Sequence, residues 1–370
     1  MSTSFPSLFP GMLLDAASRF AQDHAAAQSF DGDPVRELGW TATLVPEEAG
    51  GVGGSLADLA ALVEGLAGHG VHLPVVETCA MVPLLLQAAA PEPARRWLEA
   101  AAEGSAQIAP LVALSALPDE PVVQATHLDI GHELNGSVPG VDVSLPASHY
   151  LVPALQDGEA AIFLVEAERI GAPTARYRTM EGRRGADFTL AKLAVPEGAC
   201  IARGAAARDA LAAAADAALL LHAVDTVAAL AALIRQTIAH LKERRQFGVS
   251  LSSFQVLRHR TADMYVKYLG ARGLMTHCLH AHEHQAADLR RTLRLAKVSL
   301  AESARACAEA AIQMHGGMGV SEEVLATRLA QRLIASEFRH GDRLAHMAQL
   351  LAPQPAAQQP LLSNLTGSAR

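Results

Sequence analysis

Apolar residues recur every three or four positions from Met12 to Ala25, from Ser55 to Gly68 and from Val82 to Ala102, with proline and glycine between these stretches. That period puts them on one face of a helix and predicts an N-terminal helical domain over residues 1–104. Near Ser105 the texture changes to short alternating or β-branched runs, 124–130, 137–143, 150–155 and 160–165, parted by Asn-Gly, Pro-Gly and Asp-Gly pairs. These predict strands joined by tight turns in a small β domain over 105–200, with a further strand over 188–195. From Ala205 to Leu351 helix breakers are scarce, and the pattern predicts four long helices, at about 205–243, 252–285, 288–313 and 321–350, forming an antiparallel bundle over 201–352. The remaining 353–370, rich in Gln, Pro, Ser and Ala, has little to bury and predicts a flexible tail. The fold class is therefore α+β and mostly α.

Half of the residues are hydrophobic but only 4% are aromatic, which fits a core of Ala, Leu and Val in stacked helices. The most apolar stretch, around 211–233, is interrupted by Asp216, His222 and Asp225 and is mostly Ala, which predicts a buried helix rather than a membrane span. The 30 basic and 38 acidic residues give a net charge of -8 without a basic block, so nucleic acid is excluded as a partner. Four scattered cysteines and an N-terminus without a signal-like pattern predict a cytoplasmic location.

Two glycine clusters invite a nucleotide reading. The first, Gly50 to Gly54, lies between helices, whereas a dinucleotide loop follows a strand in a βαβ unit. The second belongs to a pair of motifs in the bundle. One is Lys242-Glu243-Arg244-Arg245-Gln246-Phe247-Gly248 with Ser253-Phe254-Gln255, and the other is Gln313-Met314-His315-Gly316-Gly317-Met318-Gly319. An Arg at a helix end can pair with a phosphate, a neighbouring Phe offers a flat apolar face, and glycines let backbone N–H groups come close to an anion. The bland alternative is a helix-capping Arg with a core Phe.

With these motifs, and with Leu38-Gly39-Trp40 and Pro46-Glu47-Glu48-Ala49-Gly50-Gly51, nearly the whole chain resembles the acyl-CoA dehydrogenase family, and in particular the subunits of heteromeric bacterial enzymes of sterol and bile-acid catabolism. The resemblance implies a helical domain, a β domain and a four-helix bundle. It also implies FAD as cofactor, an acyl-CoA substrate undergoing α,β-desaturation, and an electron-transfer flavoprotein as acceptor. By the same resemblance Arg244, Gln246, Phe247, Phe254 and Gln255 reach the FAD of a neighbouring subunit, and Gln313, Gly316 and Gly317 close over its adenosine and pyrophosphate.

The family's chemistry removes the substrate's α-proton with a carboxylate while the β-hydrogen leaves as hydride. Counting from the second motif, the usual Glu position falls on His340 and the following Thr position on Asp342. Counting back from Phe247 to the alternative site on the first bundle helix gives Ala218, with Asp216 about 200° away around the helix. An Arg that steadies substrate in many members is replaced by Leu219. The segments that hold the flavin ring are also missing: 114–120 reads Leu-Ser-Ala-Leu-Pro-Asp-Glu and 134–141 reads Leu-Asn-Gly-Ser-Val-Pro-Gly-Val.

Residues that reach a neighbour's cofactor are thus kept, and those that hold the chain's own flavin and base are altered. This asymmetry implies the subunit of a heteromer that completes a partner's FAD site. The alternatives are a stand-alone flavin oxidase or monooxygenase on the same fold, or a structural subunit without flavin. His340 remains a candidate base against the bland reading of a surface or helix-end histidine, with Glu337 and Asp342 as weaker candidates. His277, His280 and His284 share one helix face but lack a suitably spaced Cys or carboxylate, so no metal is expected.

Overall fold

The computed structural model describes residues 5–25, 30 and 32–352; the tail expected over 353–370 lies outside them. The N-terminal part comprises α1 (Met12–Asp23), α2 (Pro34–Glu37), α3 (Leu56–Ala67), a π-helical turn (Val76–Met81) running into α4 (Val82–Leu86), and α5 (Pro91–Glu103). Ser55 and Asp58 form a reciprocal capping box at the start of α3, satisfying two otherwise orphaned backbone donors. The single helix expected over 82–102 is divided at Pro91, which opens α5 at its first position, where proline's missing N–H is not needed.

The β domain holds β1 (Ile108–Pro110), β2 (Val123–His127), β3 (His132–Asp142), β4 (His149–Gln156), β5 (Glu159–Glu166), the short α6 (Ala167–Ile170), β6 (Ala175–Arg178), β7 (Arg184–Val195) and β8 (Cys200–Arg203). The sheet order is β6-β7-β3-β2-β4-β5-β8, and β1 also pairs with β4. Both β1 and β2 run parallel to β4, against its residues 149–151 and 154–156 respectively, so they lie end to end along one strand. The chain between them, 111–122, leaves the sheet. Two expected turns are corrected: Asn135-Gly136 and Pro139-Gly140 lie inside β3, which passes through both with register shifts against β7. The partner strand β7 is long enough to pair on either side, so the extra residues bulge instead of reversing the chain. Asp157-Gly158 does turn between β4 and β5, with Asp157 and Gly158 both at positive φ.

The bundle consists of α7 (Ala205–Glu243), a two-residue ribbon of β9 (Arg245–Gln246) and β10 (Val249–Ser250), α8 (Gln255–Glu283), α9 (Leu289–His315), α10 (Leu325–Ser336) and α11 (Arg343–Leu351). Helix α7 is long and apolar enough to cross a membrane, yet 94% of its most apolar stretch is buried within the protein. An apolar surface all round is what a central helix needs, and α1, α3, α8, α9 and α10 share one core with it. Leu221 and Leu230 at 0% exposure are typical of it; truncating such a leucine to alanine costs about 2–5 kcal/mol.

The expected fourth long helix is broken. His340 and Gly341 are both in the left-handed region, at φ 56° and 88°, which reverses the chain after α10. Asp342 then caps α11, its carboxylate accepting from the Ala345 N–H at 2.7 Å. A Cβ at Gly341 would lie 2.5 Å from the Leu117 side chain, so the turn is pressed against the excursion between β1 and β2.

Candidate functional site

Two regions carry the residues singled out above, and they have opposite characters. The first is buried where the N-terminal helices, the sheet and the bundle meet. His340 is 4% exposed, not the surface histidine of the bland reading. Its backbone N–H donates to the Leu114 carbonyl at 2.6 Å, and its own carbonyl lies 2.9 Å from His346 Nε2. Its ring meets that of His222 at 5.9 Å, edge to face. His222 Nε2 in turn lies 3.0 Å from Lys297 Nζ, which donates to the Ser336 carbonyl.

Around these runs a buried ionic chain. Arg183 Nη1 pairs with Asp142 at 2.8 Å and Glu77 at 3.5 Å, and its Nε with Glu181 at 3.3 Å. Arg339 joins Glu181 at 2.9 Å to Asp225 at 3.4 Å. Arg332 grips Asp225 through Nε, at 3.0 Å and 3.2 Å, and through Nη2, while its Nη1 donates to the Val71 carbonyl at 2.9 Å. The acids come from the π-helical turn, β3, the turn before β7 and α7, so the network ties all three parts of the chain together.

The electrostatics follow from this burial. Burial pushes the Glu77 carboxyl up, with Arg183 opposing it. Burial also acts to raise Asp225, but Arg332 and Arg339 overcome it and hold the carboxyl at about 2. Burial drives His222 and His340 well below the ordinary histidine value, with the Lys297 charge adding to it, and both imidazoles are neutral at neutral pH. Lys297 is likewise pushed well below its ordinary value by burial and then by Arg339.

The cavity bordered by His340, His222, Glu77, Arg183, Arg332 and Arg339 amounts to about 20 Å³, room for roughly one water molecule. The segment expected to face a flavin ring is clamped directly onto the bundle. Besides the Leu114 contact, Asp119 pairs with Arg290 at 3.6 Å and with Arg294 at 3.4 Å, and Glu120 accepts from Gln349. These contacts occupy the face that the resemblance assigns to a flavin ring. The other acids are occupied elsewhere. Asp216 pairs with Arg290 at 2.9 Å, Glu337 faces Arg305 at 3.5 Å, and Asp342 caps α11.

The second region is the far end of the bundle. The residues flanking the first motif meet the second there: the rings of His240 and His315 stack at 4.4 Å, and Thr261 Oγ1 lies 3.9 Å from Met314 Sδ. Arg244, Gln246, Gln255, Gln313, Gly316 and Gly317 are exposed. Phe247 is held out by a left-handed φ of 55°, is 89% exposed, and meets the half-buried Phe254 edge to face at 6.1 Å. A Cβ added at Gly248, Gly316 or Gly317 would meet nothing within 4 Å, so the backbone there is open to a large anion arriving from outside. The donors, the guanidinium and the apolar ring fit the phosphates and flat surfaces of a dinucleotide.

The acyl-CoA dehydrogenase N-terminal domain matches residues 11–105 and the acyl-CoA dehydrogenase C-terminal domain matches residues 210–351. The chain belongs to the acyl-CoA dehydrogenase family. It is similar to the acyl-CoA dehydrogenase IpdE2 of Mycobacterium tuberculosis, with 29% identity over 287 residues, covering 78% of this chain and 74% of that one. Among solved structures, a variant of the Tcur3481-Tcur3483 steroid ACAD superposes with a TM-score of 0.77 at 25% identity, covering 91% of this chain and 95% of that one. The ChsE4-ChsE5 complex from Mycobacterium tuberculosis gives 0.80 at 21% identity, covering 95% and 100%, and shares the fold. Sequence reasoning missed most of the ionic centre, because its members are spread from Glu77 to Arg339. The readable signal was the pair of polar residues, His222 and Asp225, inside the most apolar helix.

Proposed function

We propose that this chain is a non-catalytic subunit of a heteromeric acyl-CoA dehydrogenase. In this reading a second acyl-CoA dehydrogenase subunit supplies the base and holds most of the FAD, and this chain completes that FAD site from outside. The observation that carries it is the closed ionic centre where the family's base and flavin ring belong. Arg244 would pair with a phosphate, Gln246, Gln255 and Gln313 would donate and accept around it, and Gly316 and Gly317 would offer backbone N–H groups. Phe247 and Phe254 would cover an apolar face of the cofactor. FAD, when bound, supplies the hydride acceptor for α,β-desaturation of an acyl-CoA, and electrons pass on to an electron-transfer flavoprotein.

The paired names of the steroid ACAD and of the ChsE4-ChsE5 complex support the heteromer, and the name of the former supports a steroid-derived acyl group. We place the assembly in the cytoplasm, in keeping with four cysteines that are all free. In this reading His340 holds the turn between α10 and α11 against Leu114 and takes no proton from substrate.

Co-expressing the chain with a subunit that carries the usual Glu, isolating the complex and counting flavins per polypeptide tests the proposal. It predicts a stable complex with fewer than one flavin per chain, reduced further by Arg244→Glu. A stable, flavin-replete assembly of this chain alone would overturn it in favour of a stand-alone flavoenzyme. Complexes that are colourless throughout would overturn it in favour of a structural subunit.

A further inference from the structure

We infer that His127, His132 and Glu197 form a binding site for a divalent transition-metal ion of the zinc class. Glu197 is far in sequence from His127 and His132, which share one hairpin, and the sheet brings it beside them. His127 ends β2 and His132 opens β3, directly opposite each other across the ladder, with the hairpin closed by the Leu128 N–H donating to the Gly131 carbonyl at 2.9 Å. His132 is also opposite Val195 at the end of β7, which places the next turn, with Glu197, beside it.

Gly131 is what allows this approach. It has φ 79°, and a Cβ there would lie 2.3 Å from the Val195 carbonyl oxygen and 3.3 Å from the Glu197 nitrogen. As a result His132 Nε2 lies 3.3 Å and His127 Nδ1 3.7 Å from the same Glu197 oxygen, and ligand atoms of all three residues lie within 4.8 Å of one another. Tetrahedral ligation at about 2.1 Å separates ligand atoms by roughly 3.4 Å, so only small side-chain rotations are needed.

A second observation comes from His132 itself. It is 3% exposed, yet neither Nδ1 nor Nε2 has a hydrogen-bond partner. Buried polar atoms in native proteins are almost always partnered, and an imidazole nitrogen left bare beside a carboxylate and a second imidazole is positioned to ligate. The Phe163 ring, edge to face at 5.1 Å, fixes its orientation. Two nitrogens and one carboxylate suit zinc and its neighbours rather than calcium or magnesium, which prefer oxygen throughout. His127 and Glu197 are exposed, so the remaining positions on the ion face solvent, and the ion would clip the β2–β3 hairpin to the turn before β8.

The test uses the full chain, titrated with Co²⁺ and read by its visible absorption, then with Zn²⁺ by calorimetry. The site predicts one ion per chain, with affinity reduced by about tenfold or more in His127→Ala and in Glu197→Gln, both exposed positions where folding is unaffected. Ala substitution of the stacked pair His280 and His284 is expected to leave the affinity unchanged. No saturable binding by the unmodified chain, or binding undiminished in His127→Ala and Glu197→Gln, would overturn the inference.

Discussion

The middle of this molecule and the far end of its bundle are built on opposite principles. In the middle, charged side chains from every part of the chain turn towards one another and leave room for about one water. At the far end, an Arg, three Gln, two Gly and a Phe turn outwards and touch little of their own chain. Ordinary folding explains the first, since a buried charge is tolerated only when paired and hydrogen-bonded. It does not explain the second, where an 89% exposed Phe held at a left-handed φ costs stability unless something else covers it. The centre therefore holds the fold, and in the proposed reading the corner serves a partner.

The comparison is broken most severely at Asp225. Asp225→Ala leaves Arg332 and Arg339 without their shared carboxylate and is expected to cost about 3–5 kcal/mol, read by urea unfolding. A cost below about 1 kcal/mol would mean that water already reaches the centre.

Acid provides the next test. His72, whose Nδ1 lies 2.9 Å from Arg332 Nη1, is held well below the ordinary histidine value, principally by burial, as are His222 and His340. The unfolded chain takes up their protons near pH 6.5 and the folded chain does not, so stability rises with pH up to that value and falls below it. Each such histidine contributes a slope of about 1.4 kcal/mol per pH unit there. Asp225, at about 2 when folded against 3.8 as its ordinary value, adds stability that is complete above 3.8 and lost between 3.8 and 2. Unfolding measured from pH 7 to 5 is therefore expected to show a steep loss, shallower by one proton in His340→Phe. A flat profile would contradict the neutral, buried histidines.

The smallest effect on stability is expected at the corner. Arg244→Glu and Phe247→Asp change exposed side chains and are expected to shift unfolding by no more than about 0.5 kcal/mol, while sharply lowering the flavin retained by the heteromer. If they destabilise the lone chain by several times that, the corner is part of the fold and not a surface kept for a partner.

What the sequence made legible was local. The two bundle motifs are short continuous segments, so their place at one end of the bundle could be read once the helices on either side were. The His340 substitution could be located by counting, but its surroundings could not. Glu77, Asp142, Glu181, Arg183 and Arg332 carry no mark of burial in their own neighbourhoods, and only the packing of three separate parts brings them together. The break between α10 and α11 was hidden for a related reason. His340 has no intrinsic preference for a left-handed backbone strong enough to announce a turn, and its contact with Leu114 comes from the β domain. Asn135-Gly136 erred in the other direction, because a strong turn pair yielded to the long partner strand β7.

The central claim is that this chain does not hold a flavin of its own. Titrating the purified chain alone with FAD and following flavin fluorescence tests it most directly. The closed centre predicts no saturable binding; tight binding of one FAD per chain would contradict it and return His340 to the list of candidate bases.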